Sequence, residues 1–376
     1  MSYHPVILLG NGVRNNPALV EHLQSLGVPC LYTWMACDLG IEDSGTFCGR
    51  PGILGQRAAN IIQQKATHLY CFGARLDGEQ VFYDYDSFAP NAQIYVYDID
   101  EAEAQKFPKR YHVTQTLDCR DDIDFLPALD PPHRDWLNWC KALYHRFRPE
   151  LDSCESGEKF VDPFAFIQSL HEHSASDDVF AIGSSGNPAT TFLQTYKIKA
   201  GQRVSNICTI GCMGADIPMA LGAAVATGRR TICVTGDGGF AMNAQELETI
   251  RRLRLPIIFF VFNNNGYASI RNNQDIRFNG HRVGCDPKSG LTLPDIEDMA
   301  SGYRIPYLKL SGSNLYDFSK CFTYAPIIVE VTIDPDWAQY PRAMAARIDG
   351  VFHRDDMQDM TPKIDDLQAL MDWGNE

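Results

Sequence analysis

The chain has 376 residues, 45% of them hydrophobic, and a formal net charge of −14. That length predicts two domains with substantial cores, and the acidic balance argues against a nucleic-acid partner, whose phosphates need a basic surface. The 12 cysteines include no CxxC pair, and several (Cys71, Cys233) fall inside apolar runs, so buried free thiols in a reducing compartment fit better than a disulfide framework. No run approaches the ~18 apolar residues of a membrane span. The N-terminus lacks the basic flank and long apolar core of a signal peptide, so a cytoplasmic protein without a membrane partner is expected.

Residues 1–130 alternate strand and helix patterns. HPVILLGNG reads as a strand and turn, PALVEHLQSLG as a helix closed by glycine, and VPCLYT as a second strand. The helix GQRAANIIQQKA and the strands HLYCFGA and AQIYVYDID follow. Such alternation predicts a doubly wound parallel sheet. Gly10-Asn11-Gly12 after the first strand invites a dinucleotide reading, but Asn15 stands where the third glycine belongs. Residues 131–160 read as a linker. An Asp- and Pro-rich stretch at 118–132 leads into it, it carries a helical pattern at 135–147, and it ends in a polar stretch at 149–158.

Residues 161–335 form a second α/β pattern. Its elements are the helix DPFAFIQSLHEHS, the strand DVFAIG, the helix NPATTFLQTY, a glycine-rich segment at 206–227, and two strongly apolar strands at 231–235 and 256–262. A loop at 271–290, the helix PDIEDMASGY and a last strand at 326–333 complete it. Residues 336–376 read as an irregular tail with a short helix at 363–373; Trp337, Tyr340 and Arg342 could fold over the site as a lid. The fold class expected is α/β, with two doubly wound parallel-sheet domains.

The chemistry concentrates between Thr235 and Ser269. One strand ends in Gly236-Asp237-Gly238-Gly239 and the next in Asn263-Asn264-Asn265-Gly266. In a parallel sheet both ends lie on the edge where α/β proteins place ligands. A carboxylate, an amide oxygen and free carbonyls beside glycine-opened amides suit a magnesium ion carrying a diphosphate. An ordinary βαβ unit would account for the glycines, but not for oxygen ligands at both strand ends.

GDGG followed by the Asn motif resembles thiamine diphosphate enzymes, and MNAQEL with NNNGYASIR resembles their acetolactate synthase branch. The resemblance implies metal ligation by Asp237, Asn264 and the Gly266 carbonyl; a slip of one residue would substitute Asn265 and Tyr267. It implies diphosphate contacts from Gly236, Gly238 and Gly239, and from Gly186 and Asn187 in the loop after another strand. The segment IGCMGADIP at 210–218 resembles the family's GLGTMGFGLP. There the resemblance assigns two catalytic roles. The Gly211 carbonyl accepts a bond from the cofactor's amino group, and the Met213 side chain wedges between the cofactor rings.

The first domain resembles the family's middle, Rossmann-like domain through PVILLGNGV, GILGQRAAN and GARLDG. Some relatives bind FAD there; an empty scaffold is the favoured reading. The family's pyrimidine-binding domain, which supplies a catalytic glutamate across a subunit interface, has no counterpart in the pattern. The resemblance therefore implies a split enzyme working as a heterotetramer with a separate pyrimidine-binding chain. The implied reaction is decarboxylation of a 2-keto acid such as pyruvate with transfer of the two-carbon unit to a carbonyl acceptor. Decarboxylation without ligation and a catalytically silent scaffold are the alternatives. Arg271 could hold an acceptor's carboxylate or phosphate, or form a surface salt bridge, and Asn273 stands where acetolactate synthases carry a tryptophan.

Overall fold

A computed structural model describes residues 3–106, 111–116, 134–148, 157–183, 185–348 and 351–374. The expected linker stretches at 118–132 and 149–156 lie outside the described residues. The chain divides into two compact units. One comprises Met1–Arg148, Tyr340–Ala345 and Phe352–Glu376; the other comprises Pro149–Gln339 and Ala346–Val351.

The first unit holds β1 (Pro5–Leu9), α1 (Pro17–Ser25), β2 (Cys30–Tyr32), α2 (Arg57–Lys65), β3 (His68–Phe72), β4 (Gln93–Asp98), α3 (Glu101–Gln105), β5 (Tyr111–Thr116) and α4 (Arg134–Arg146). Its five strands are all parallel, in the order β2-β1-β3-β4-β5. Strand β5 is absent from the sequence reading. The glycines of the tempting motif serve close packing. A Cβ on Gly10 would stand 2.1 Å from the Gly73 carbonyl oxygen. The Gly10 and Gly12 amides donate to the carbonyls of Phe72 and Gly73, each at 2.9 Å. The helix expected inside the linker, α4, belongs to this unit: the Trp136 indole donates to the Pro5 carbonyl at 2.9 Å.

The second unit holds α5 (Pro163–His173), β6 (Val179–Ile182), α6 (Asn187–Thr195), β7 (Arg203–Ser205), α7 (Asp216–Thr227), β8 (Thr231–Gly236), α8 (Asp237–Met242), α9 (Glu246–Leu253), β9 (Ile257–Asn263), α10 (Ala268–Arg277), α11 (Ile296–Tyr303), β10 (Tyr307–Leu310) and β11 (Ile327–Thr332). Its six strands, again all parallel, run β10-β11-β9-β8-β6-β7. From β6 the chain steps outward to β7, then returns to β8 on the other side of β6. The switch point therefore falls between β6 and β8, where open α/β sheets leave a crevice. Strands β8 and β9 are buried along their apolar residues on both faces, as central parallel strands must be. The loop expected at 271–290 begins later: α10 takes its first seven residues, 271–277. Its polar, Asn-rich sequence carries little apolar periodicity, which hid it.

The tail is structured. Beyond β11 come β12 (Ala345–Ile348), β13 (Val351–Arg354) and α12 (Leu367–Asp372). Most of it folds with the first unit. Arg57 donates to the carbonyls of Met360 (3.1 Å) and Pro362 (2.5 Å), and Lys65 to that of Met371 (2.6 Å). Trp373 stacks on Trp139 with ring centroids 5.0 Å apart. These contacts cover the polar face of α2, so all nine of its residues are buried. Trp337, which stays with the second unit, packs edge-on against Phe164.

Phe166 of α5 is fully buried and meets Phe260, Phe262 and Phe318 edge-on at 5.1–5.3 Å. Phe166→Ala is expected to cost about 3–5 kcal/mol, read as a lower urea midpoint of the second unit's transition. An unchanged midpoint would show that this aromatic cluster does not anchor the sheet.

Candidate active site

Four loops converge at the carboxyl edge of the second sheet, following β6, β7, β8 and β9. They enclose a cleft of about 270 Å³. The structure brings all eleven residues singled out from sequence into its lining. Gly186 and Asn187 come from the first loop, Gly211 and Met213 from the second. Gly236, Asp237, Gly238 and Gly239 come from the third, and Asn264, Gly266 and Tyr267 from the fourth.

Asp237 is the central charge. It is buried, and its two carboxylate oxygens accept from the Gly238 amide at 2.7 Å and the Gly266 amide at 2.9 Å. Burial pushes its carboxyl up from the ordinary value to about 6, against the pull of those amides. A carboxylate desolvated this far calls for a cation.

The three asparagines separate by geometry. Asn263 uses its side chain for the turn: its Oδ1 accepts from the Asn265 amide at 3.0 Å. Asn265 is exposed and left-handed, with φ +59°. Asn264 is buried in the cleft wall, and its Oδ1 has no hydrogen-bond partner. Opposite it, the Nδ2 of buried Asn187 is also unpartnered. Orphaned polar atoms at these depths are rare and mark where a ligand would complete them. A carboxylate, an amide oxygen and nearby carbonyls make an all-oxygen donor set suited to a hard divalent cation.

Glycine at two positions keeps the cleft open. A Cβ on Gly238 would stand 2.3 Å from the Tyr267 ring and 2.9 Å from the Met213 methyl. Gly266, with φ +133°, would press a Cβ to 2.4 Å from the Cys285 carbonyl oxygen. Met213 therefore projects toward the cleft floor rather than into the core. The loop beyond α10 is tied to this wall, because the Tyr267 amide donates to Cys285 at 2.9 Å. Arg282 staples that loop through Asp275 (2.7 Å) and Asp286 (3.2 Å).

One acidic residue of the cleft lining, Asp216, escaped the sequence reading. It is buried, and accepts from the Thr235 hydroxyl. An acidic residue in a glycine-rich segment just ahead of an apolar helix was the available signal. Arg271 fits neither role expected of it. It is buried, and donates to the carbonyls of Asn264 (3.2 Å) and Pro335 (2.5 Å), clamping the Asn turn. Asn273 is exposed on α10. None of the ten described cysteines is in a disulfide, and Cys212, beside Met213, is exposed.

The family description "thiamine pyrophosphate enzyme, C-terminal TPP binding domain" matches residues 184–325, which contain every residue of the cleft. Its companion, "thiamine pyrophosphate enzyme, central domain", matches residues 2–123. The chain belongs to the thiamine pyrophosphate enzymes. Among thiamine pyrophosphate enzymes it is similar to the acetolactate synthase isozyme 2 large subunit of Escherichia coli. The two are 30% identical over 288 residues, which is 73% of this chain and 50% of that protein. Acetolactate synthase 1 of Zea mays is 28% identical over 83% of this chain and 50% of its own length. A probable acetolactate synthase large subunit of Methanocaldococcus jannaschii is 28% identical, over 89% and 58% respectively. The chain thus spans about half the length of the curated relatives it matches. No helix among the described residues is long and apolar enough to cross a membrane.

The Asp237 carboxyl sits at about 6 in the folded chain, above its ordinary 3.8. Folding thus favours the protonated form, and the stability this adds at low pH is lost as pH rises through about 6. A rise of this size amounts to about 3 kcal/mol. In metal-free buffer Asp237→Asn is expected to be more stable than wild type at pH 7.5 by up to that amount, with the gap closing below pH 4. Urea unfolding across this range checks it; a variant no more stable at pH 7.5 would show that burial does not strain the carboxylate.

Proposed function

We propose that this chain is the diphosphate-binding part of a thiamine diphosphate-dependent 2-keto acid decarboxylase with carboligase activity. The observation that carries the reading is the convergence of the buried Asp237 carboxylate and the unpartnered Asn264 Oδ1 on one cleft. Asp237, Asn264 and the Gly266 carbonyl would hold a magnesium ion. The amides of Gly238 and Gly239 on one side, and Gly186 with the free Asn187 Nδ2 on the other, would hold the diphosphate. Gly236, which ends β8 and lines the cleft, would face the diphosphate. The carbonyl of Gly211 would accept the cofactor's amino proton, and Met213, with the Tyr267 ring below, would enforce its bent shape. When bound, the cofactor supplies the electron sink that lets a 2-keto acid lose carbon dioxide. The chain's own work is to fix that sink's position and exclude water around it.

The glutamate that completes such a site would come from a pyrimidine-binding domain on a separate chain, in a heterotetramer with two copies of each. The rim supports a covering partner. Ile270, which lines the cleft, and Ile210 and Met242 on neighbouring segments are 46%, 78% and 48% exposed, apolar surface that a covering partner would bury. The relatives' names support ligation as the fate of the two-carbon unit, and the exposed Asn273 in place of a tryptophan favours an acceptor other than a small keto acid. FAD is the lesser option for the first domain, where the tail covers the polar face of α2.

Calorimetric titration with thiamine diphosphate, with and without magnesium, tests the cofactor reading. Asp237→Ala and Asn264→Ala should each weaken magnesium-dependent binding more than ~100-fold, beyond the ~10–100-fold typical of losing a supporting partner. Carbon dioxide release from pyruvate should need both this chain and the pyrimidine-binding chain. Release by this chain alone would sink the separate-chain assignment, and absence of magnesium-dependent binding in wild type would sink the cofactor reading.

A further inference from the structure

Glu330 is buried, yet it is none of the residues that line the cleft. It lies on β11, in register with Lys309 of β10 and Val261 of β9. Since strand side chains repeat every second residue, Tyr307, Lys309, Glu330, Val261 and Asn263 share one face of the sheet. The polar four connect across it. Glu330 Oε1 accepts from Asn263 Nδ2 at 3.0 Å and from Lys309 Nζ at 2.8 Å, and Oε2 accepts from the Tyr307 hydroxyl at 2.7 Å. The row ends at the Asn turn.

An ionised carboxylate only accepts, so it can face only the NH₂ end of the Asn263 amide. That leaves Asn263 Oδ1 pointing along the chain, where it accepts from the Asn265 amide at 3.0 Å. The bond holds Asn265 in its left-handed conformation, φ +59°, which a non-glycine residue adopts only at a cost. This conformation in turn sets the two groups on either side. The Asn264 side chain turns into the cleft, and the Gly266 amide reaches Asp237 at 2.9 Å. Arg271 fixes the same turn from the opposite side, through the Asn264 carbonyl at 3.2 Å.

We propose that Glu330 is a positioning residue for the metal-binding turn, acting through the amide of Asn263 on Asn265 and so on the placement of Asn264. The proposal deepens the metal reading of Asn264 and rests on it for its consequence, but the relay itself concerns the chain without metal. Charged groups supporting ligand orientation from behind commonly change metal affinity by ~10–100-fold when lost.

The test uses the full-length chain and three single variants. Glu330→Gln leaves the volume but lets the amide face Asn263 either way. Asn263→Asp sets a second carboxylate against Glu330 while still accepting from Asn265. Tyr307→Phe removes a bond on the far side of Glu330 and reports the effect of weakening the network alone. The double variant Glu330→Gln with Asn263→Asp reverses donor and acceptor and restores the pairing.

Hydrogen exchange over the Asn265–Gly266 amides, read by mass spectrometry without metal, should quicken at least ~10-fold in Glu330→Gln and Asn263→Asp, not in Tyr307→Phe, and recover in the double variant. Manganese uptake in the presence of thiamine diphosphate, followed by electron paramagnetic resonance, should weaken and recover in the same order, about 10-fold for the singles. Unchanged exchange in the singles, or equal effects in Tyr307→Phe, would overturn the relay. Quickened exchange with unchanged manganese affinity would overturn its link to the metal. If wild type takes up no manganese, the metal reading fails and the consequence with it, while the exchange data still judge the relay.

Discussion

The cleft is organised around one unfavourable placement, a carboxylate at the end of a central buried strand. Asp237 follows β8, whose residues up to Thr235 are fully buried, and it is itself nearly closed off from water. Two backbone amides offset part of the desolvation. Both depend on glycine: Gly238 because the Tyr267 ring and Met213 occupy its side-chain space, Gly266 because of its φ and the Cys285 carbonyl. The remaining strain has the sign that a cation relieves. The switch of strand order between β6 and β8 supplies the opening for one. Fold, glycine placement and charge therefore answer a single requirement.

What was legible in the sequence follows from the same physics. Strands β8 and β9 announce themselves because a central parallel strand is apolar throughout, and the turns that line the cleft stand out at their ends. The strands that escaped notice, β5, β7 and β10, lie at or beside sheet edges. Their sequences (YHVTQT, RVS, YLKL) are short or polar, so periodicity has little to register. Helix α10 was hidden by its asparagines, which belong to turns by local preference but here sit on an exposed helix face. The tail was hidden for a different reason. Its methionines meet α2 and Trp373 stacks on Trp139 of α4, both far away in sequence, and no local pattern records such contacts.

The finer assignments needed backbone geometry rather than composition. Three consecutive asparagines are equivalent on paper. In space one holds the turn, one enters the cleft and one is left-handed and exposed. Arg271 shows the same limit from the other side. An arginine after a ligand loop suggests contact with an anion, but its burial and its two carbonyl acceptors make it a clamp. Asp216 shows that a buried acid can be invisible when the motif around it draws attention to its neighbours.

The polarity of the cleft constrains what can occupy it. Acceptors crowd the wall built by the turns after β8 and β9, in Asp237 and Asn264. A free donor, Asn187 Nδ2, stands on the wall built after β6. A lone cation would satisfy the first wall and leave the second orphaned; a lone anion would do the reverse and meet Asp237 with like charge. An anion already carrying its own cation satisfies both at once. It also neutralises the carboxylate that burial disfavours. Ile270 in the lining and Ile210 beside Gly211 are exposed, and would offer the uncharged end of such a ligand an apolar contact. A metal-bound diphosphate joined to an apolar ring system, the ligand proposed for this cleft, would meet the unpaired atoms of both walls.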